Sequence, residues 1–281
     1  MIGKAIVNAI ACGLGAALGI KLWTKATVKL TDKPGKVNGK IISDSAEDPK
    51  LIVKTVREVL SYLNLEEVYG AYVETESNIP IARGLKSSSA AANAIVLATL
   101  SAVDAEVGDL TAVKLGVKAA IDAKVTITGA FDDACASYFG NIVITDNRAM
   151  DILKLLNVKE EYRVLIHVPP EKKYTSNVNV KEARAVAREV AAIHKLALLG
   201  DHWTAMTLNG LVYSAVFGYD PRIALEAIMN GAVAAGLSGT GPAVAAVVPM
   251  ESVGNVVKAW KKYCGEIIET EINREKAHVL R

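Results

Sequence analysis

Apolar residues recur at spacings of three and four through residues 48–63, where Leu51, Ile52, Thr55, Val56, Val59, Leu60 and Leu63 share one face. That spacing predicts a helix packed on a sheet, with Lys50, Lys54, Arg57 and Glu58 turned to solvent. Short runs at 28–30, 40–43 and 68–74 predict strands, the first two separated by the turn Asp32-Lys33-Pro34-Gly35. Helices are expected over 89–103 and 110–123, and a strand over 140–145. The pattern then predicts a helix over 150–156 and a buried strand over 162–168 that stops at Pro169-Pro170. Three helices follow, at 181–199, 202–217 and 221–235, then a continuous apolar strand at 243–248 and a last helix at 253–263 leading to 266–269. Strands interleaved with helices in both halves indicate α+β or α/β architecture. The change of pattern near residue 150 divides the chain into segments 1–150 and 151–281.

The segment 5–20 is mostly apolar, follows Lys4 and has the look of a signal-peptide core. Asn8 and the glycines at 3, 13, 15 and 19 disfavour a continuous helix there, and the run falls short of the roughly 20 residues of a membrane span. The glycines Gly13, Gly15 and Gly19 also imitate a dinucleotide fingerprint with one residue too many. No strand is expected before them and no helix after, so that reading is set aside.

Composition narrows the functional classes. Charged residues are 22% of the 281 and the net charge is +2, which leaves neither a nucleic-acid footprint nor an acidic tail. The three cysteines, Cys12, Cys135 and Cys264, are far apart and form no CxxC pair, so a reducing, cytoplasmic compartment is expected, without nucleic-acid or membrane partners. The four histidines show no zinc spacing, and no serine sits in a Gly-x-Ser-x-Gly elbow.

Three places can carry chemistry. In the stretch Pro80, Ile81, Ala82, Arg83, Gly84, Leu85, Lys86, Ser87, Ser88, Ser89, Ala90, glycine and serine lead into an alanine-rich helical run. Free amides at that helix's start and a glycine that lets backbone approach make an anion cradle, suited to phosphate, although one serine there is also an ordinary cap. It is not a Walker loop, because no Gly-Lys-Ser/Thr occurs at the required spacing. Asp132-Asp133 lies among small residues and is the best acid or base candidate, with helix capping the plainer alternative. Asp122, Asp104 and Glu106 are further carboxylates within the range of roles open to a Mg²⁺ shared with phosphates. The turn Ser238-Gly239-Thr240-Gly241-Pro242 is a second glycine-serine loop, in the other half of the chain, and two such loops make a cleft.

Pro80-x-x-x-Gly84-Leu85-x-Ser87-Ser88-x-Ala90, followed by an aspartate before small residues and by a late Ser-Gly-x-Gly turn, resembles the GHMP kinases. The order of motifs spans nearly the whole chain. Lys86 and Ser89 replace the family's usual glycine and alanine, and with Gly3-Lys4-Ala5-Ile6-Val7-Asn8-Ala9 they make the chain most similar to the archaeal-type shikimate kinase branch. The resemblance implies an α+β, two-domain fold: an N-terminal domain like ribosomal protein S5 domain 2, and a ferredoxin-like C-terminal domain. It further implies ATP and Mg²⁺ at their junction, shikimate as the small-molecule substrate in aromatic amino acid biosynthesis, and a homodimer as the assembly. Residues 80–90 and Ser238, Gly239, Thr240 and Gly241 would then bind ATP, with Ser88 and Asp122 near the metal. Asp132 would be the catalytic carboxylate, favoured over Asp133 by its distance from Gly140. A pocket for a hydroxylated carboxylate calls for a cation and short polar groups, for which Lys4, Asn8, Arg83, Tyr174, Thr175 and Asn177 are the candidates.

Overall fold

The computed structural model describes residues 1–44, 47–80, 85, 87–171 and 179–280. The chain opens with a hairpin: β1 (Ile2–Val7) pairs antiparallel with β2 (Leu14–Ile20), and Gly3 sits opposite Gly19. Both strands are almost wholly buried, which is why the segment reads as an unbroken apolar run. A strand does precede Gly13, contrary to expectation, but another strand follows it, so no dinucleotide fold is formed.

Next come β3 (Thr24–Thr31), β4 (Val37–Ile41), α1 (Lys50–Tyr62) and β5 (Gly70–Ser77). They build a three-stranded sheet in the order β3-β5-β4, with β4 parallel to β5. The expected face of α1 is the buried one: Ile52, Thr55, Val56, Val59 and Leu60 lie inside, against Val37, Ala71 and Val73. Helices α2 (Ser87–Ala102) and α3 (Asp109–Asp122) follow.

The short helix α4 (Phe131–Phe139) was not foreseen as an element. After it, β6 (Ile142–Asp146) and β7 (Asp151–Leu156) complete a second sheet in the order β1-β2-β6-β7. The helix expected at 150–156 is therefore a strand. Met150 has a left-handed φ of 52°, which suits a turn and opposes helix initiation, and β7 pairs with β6 as a hairpin. The chain leaves this sheet only after Leu156.

In the second half, β8 (Tyr162–Val168), β9 (Ala234–Leu237), β10 (Val244–Pro249) and β11 (Glu266–Glu271) form an antiparallel sheet ordered β11-β8-β10-β9. Helices α5 (Val180–Ala185), α6 (Ala187–Leu199), α7 (His202–Phe217), α8 (Arg222–Met229) and α9 (Val253–Trp260) accompany it. Two expected helices are corrected. The run 181–199 breaks at Val186, whose N–H reaches Ala183 O, three residues back. The run 221–235 ends early because Gly231, at φ 100°, turns the chain and frees Ala234 and Ala235 for β9.

The sheet β1-β2-β6-β7 lies between two cores. Ile2, Ile6, Leu18 and Ile20 join a large core shared with the second half, including Ile166, Met206, Tyr213 and Val247. Ala17 and Val143 join a smaller core with Phe131, Ala134 and Tyr138 of α4. Among the described residues no helix is long and apolar enough to cross a membrane.

Candidate active site

Helix α4 lies directly on the backbone of the first hairpin, and glycines make this approach possible. A methyl group added at Gly3 would sit 2.4 Å from the Asp133 carbonyl oxygen, one at Gly19 would sit 2.8 Å from the Ala136 carbonyl, and one at Gly15 would sit 2.7 Å from the Asp132 carboxyl. The glycines that argued against an N-terminal helix are the seat of α4. Gly129 at φ 82° and Ala130 at φ 47° bring the chain sharply into the helix, so that Asp132 and Asp133 occupy its first turn. Carboxylates are favoured there by the exposed amides and partial positive charge of a helix start.

Both aspartates are buried. Asp132 Oδ1 accepts a hydrogen bond from Asn147 Nδ2 at 2.8 Å. The Asn147 carbonyl oxygen accepts in turn from the Thr145 hydroxyl at 2.6 Å. Asp133 is an electrostatic neighbour of Lys4. Lys4 is buried on β1, and its ammonium donates to the carbonyls of Ala5 at 2.6 Å and Leu237 at 3.4 Å. Burial pulls the Lys4 ammonium down to about 8, against the opposing pull of Asp133.

Asn8, expected among the substrate contacts, has another part in this structure. Its Nδ2 donates to Gly239 O at 2.9 Å, its Oδ1 accepts from Ile10 N, its own N–H donates to Asn209 Oδ1, and its carbonyl accepts from the Tyr213 hydroxyl. Every polar group of Asn8 is engaged by the protein. It fastens the first hairpin to α7 and to the turn at 238–241. That turn closes through Gly241 N to Ser238 O and Ser238 N to Ala243 O, and Gly239 and Gly241 adopt φ of 58° and 74° that favour glycine. Ser238 and Thr240 are buried in it. Gly210 and Gly236 allow α7 and β9 to meet backbone to backbone, which carries Asn209 up to Asn8.

Ser87 and Ser88 are half-buried at the start of α2, with Ser89, Ala90 and Leu85 buried beside them; Pro80 is half-buried. Ile81, Ala82, Arg83, Gly84 and Lys86, and the substrate candidates Tyr174, Thr175 and Asn177, lie outside the described residues. Asp122 is exposed at the end of α3, one turn from Lys118, whose ammonium is held up chiefly by its hydrogen bond to Glu58 and only slightly by Asp122. Among the described residues no cluster of three or more His, Cys, Asp or Glu is arranged to hold a metal.

Sequence reasoning missed Asn147, Thr145, Asn209, Tyr213 and His194. His194 on α6 is buried, and burial lowers it below the usual imidazole range although backbone carbonyls of Thr145 and Gly15 and the charges of Asp146 and Asp132 oppose this. The polar residues Thr145 and Asn147 at the end of an apolar strand were the one available signal. A cavity of about 560 Å³ between α2, β3 and residues 275–280 includes none of Lys4, Asn8, Asp132 or Asp133 in its lining.

The chain is similar to known proteins in both sequence and fold. The GHMP kinases N terminal domain family matches residues 50–141. A shikimate kinase of Methanosarcina mazei is 46% identical over 275 residues, covering 97% of this chain and 92% of the relative. A shikimate kinase of Pyrococcus furiosus is 42% identical over 267 residues, covering 94% of each. Among solved structures, mevalonate kinase of Methanococcus jannaschii superposes with a TM-score of 0.78 at 20% identity, covering 97% of this chain and 96% of that one. Homoserine kinase from Cytophaga hutchinsonii gives 0.74 at 19% identity, covering 98% and 94%. At those identities the solved structures share the α+β fold and establish nothing finer. The close, nearly full-length relatives establish the family: the chain belongs to the archaeal shikimate kinases, within the GHMP kinases.

Proposed function

We propose that the protein transfers the γ-phosphoryl group of ATP to the 3-hydroxyl of shikimate, giving shikimate 3-phosphate and ADP. The observation that carries this reading is the run of relatives named shikimate kinase, 40–46% identical across nearly the full length of both chains.

Phosphoryl transfer asks chiefly for positioning and for stabilisation of charge on the moving group. The substrate hydroxyl gives its proton to the Asp132 carboxylate as its oxygen bonds to the γ-phosphorus, and the bond from that phosphorus to the bridging oxygen of ADP breaks. The amides at the start of α2, Ser87 to Ala90, the preceding residues 80–86 and the turn at 238–241 bind the phosphates. Ser88 and Asp122 would hold Mg²⁺, which would offset the charge of the phosphates. Lys4 supplies a buried cation for the substrate carboxylate or for charge gathering in transfer, and Tyr174 and Thr175 are proposed for the ring hydroxyls. Asn8 holds the phosphate turn to the hairpin rather than touching substrate. A cytoplasmic enzyme, with a homodimer as its assembly, completes the proposal.

ADP release in a coupled assay over shikimate, homoserine, mevalonate and pantoate tests this, with Mg²⁺ omitted as control. Turnover with shikimate alone is expected. Turnover with homoserine alone would overturn the substrate and leave a kinase.

A further inference from the structure

Asn147 lies in the turn between β6 and β7, where its neighbours Arg148 and Ala149 are exposed, yet Asn147 itself is buried. Its backbone N–H donates to Gly13 O at 2.8 Å, which ties this turn to the turn of the first hairpin. Its side chain is directional. The Thr145 hydroxyl, 2.6 Å from Asn147 Oδ1 and 3.3 Å from Gly15 O, gives its proton to the nearer acceptor. The amide nitrogen is aimed at Asp132 Oδ1, 2.8 Å away. A reversed amide would set carbonyl oxygen against carboxylate oxygen, so the charge of Asp132 fixes which way the amide points. Below the same carboxyl lies Gly15, where no side chain fits. The carboxylate is thus held from the side by an amide that is itself held by a hydroxyl.

We propose that Asn147, held by the Thr145 hydroxyl, is a positioning residue that aims the Asp132 carboxylate at the substrate hydroxyl. This rests on the reading of Asp132 as the proton acceptor. A donor to one carboxylate oxygen restricts rotation of the group and favours its charged form, the form that accepts a proton. Among the described residues, Asp133 and Cys135 on its own helix, Tyr213 on α7 and His194 on α6 are titratable groups near Asp132. Burial pushes the Cys135 thiol and the Tyr213 phenol up and the His194 imidazole down, which favours the neutral form of all three.

The test measures kcat, the KM values for shikimate and ATP, the pH profile and thermal unfolding of the full chain. The variants are Asp132→Asn, Asn147→Leu, Thr145→Val and Thr145→Ser. Asn147→Leu is expected to lower kcat about 10- to 100-fold, the scale of a misplaced catalytic group, with both KM values little changed. Its acid limb is expected to move to higher pH. Thr145→Val is expected to move both readouts the same way by a smaller amount, and Thr145→Ser, which keeps the hydroxyl, to recover most of that loss. If Asn147→Leu fails to fold, the Thr145 pair decides. Loss of turnover in Asp132→Asn with wild-type kcat and pH profile in folded Asn147→Leu or Thr145→Val would overturn the positioning role and leave the proton acceptor standing. Retained turnover in Asp132→Asn would overturn both.

Discussion

The side-chain amide of Asn8 donates to the carbonyl of Gly239 at 2.9 Å, joining the first strand of the chain to a turn 231 residues later. Tyr213 and Asn209 hold the same asparagine from α7. Replacement by alanine removes one donor and one acceptor in a buried place, for an expected loss of about 1–3 kcal/mol in stability. The phosphate turn should also loosen, so KM for ATP is expected to rise more than kcat falls. Denaturant unfolding and steady-state kinetics on Asn8→Ala check both.

Gly3 and Gly15 support α4 in different ways, and their alanine variants should differ accordingly. At Gly3 the obstacle is the Asp133 backbone, which cannot step aside without moving the helix. Gly3→Ala is expected to lower stability by about 1–3 kcal/mol, as overpacking does. At Gly15 the obstacle is the Asp132 carboxyl itself. Gly15→Ala is expected to lower kcat by about tenfold or more, the larger effect relative to its change in melting temperature.

Asp132 and Asp133 are one residue apart but meet different partners, Asn147 for the first and the charge of Lys4 for the second. Asp132→Asn is expected to cost about 10²- to 10⁴-fold in kcat, the usual worth of a positioned base. Asp133→Asn is expected to keep the greater part of kcat and to raise the Lys4 environment's demand for another anion, visible as a changed KM for substrate. The reverse ranking in kcat would transfer the catalytic role to Asp133.

Lys4 gives a pH signature with a definite sign. Its pKa falls on folding from 10.5 to about 8, so between those values the unfolded chain binds the proton that the native chain has lost. Stability attributable to Lys4 therefore rises as pH climbs from about 8 to 10.5, by ~3 kcal/mol in all, and the full penalty is present below 8. In Lys4→Met this rise is absent. The difference between the two unfolding curves over that pH range is the measurement, since other titrations cancel in it.

Much of the fold was legible. The face of α1, the limits of β8 and α7, and the apolar run of β10 follow from periodicity and length alone. The failures share a cause: local pattern does not record which backbone lies across which. Asp151 to Leu156 has the leucines of a helix and becomes a strand because β6 offers an edge. The first hairpin has the look of a leader because both of its strands are buried, while its glycines serve a close contact with α4, made with residues more than a hundred positions away. Asp132 was legible as a carboxylate among small residues. Its partner Asn147 was not, because a hairpin asparagine is ordinarily explained by its turn.

Phosphoryl transfer to shikimate is proposed at the site where α4, the first hairpin and the turn at 238–241 meet. Incubation with ATP labelled in the γ-phosphoryl group, Mg²⁺ and shikimate, followed by separation of the products, tests it most directly. Label is expected in shikimate 3-phosphate for the wild-type chain and at background for Asp132→Asn. Label recovered only as inorganic phosphate, or equal labelling of shikimate by Asp132→Asn, would contradict it.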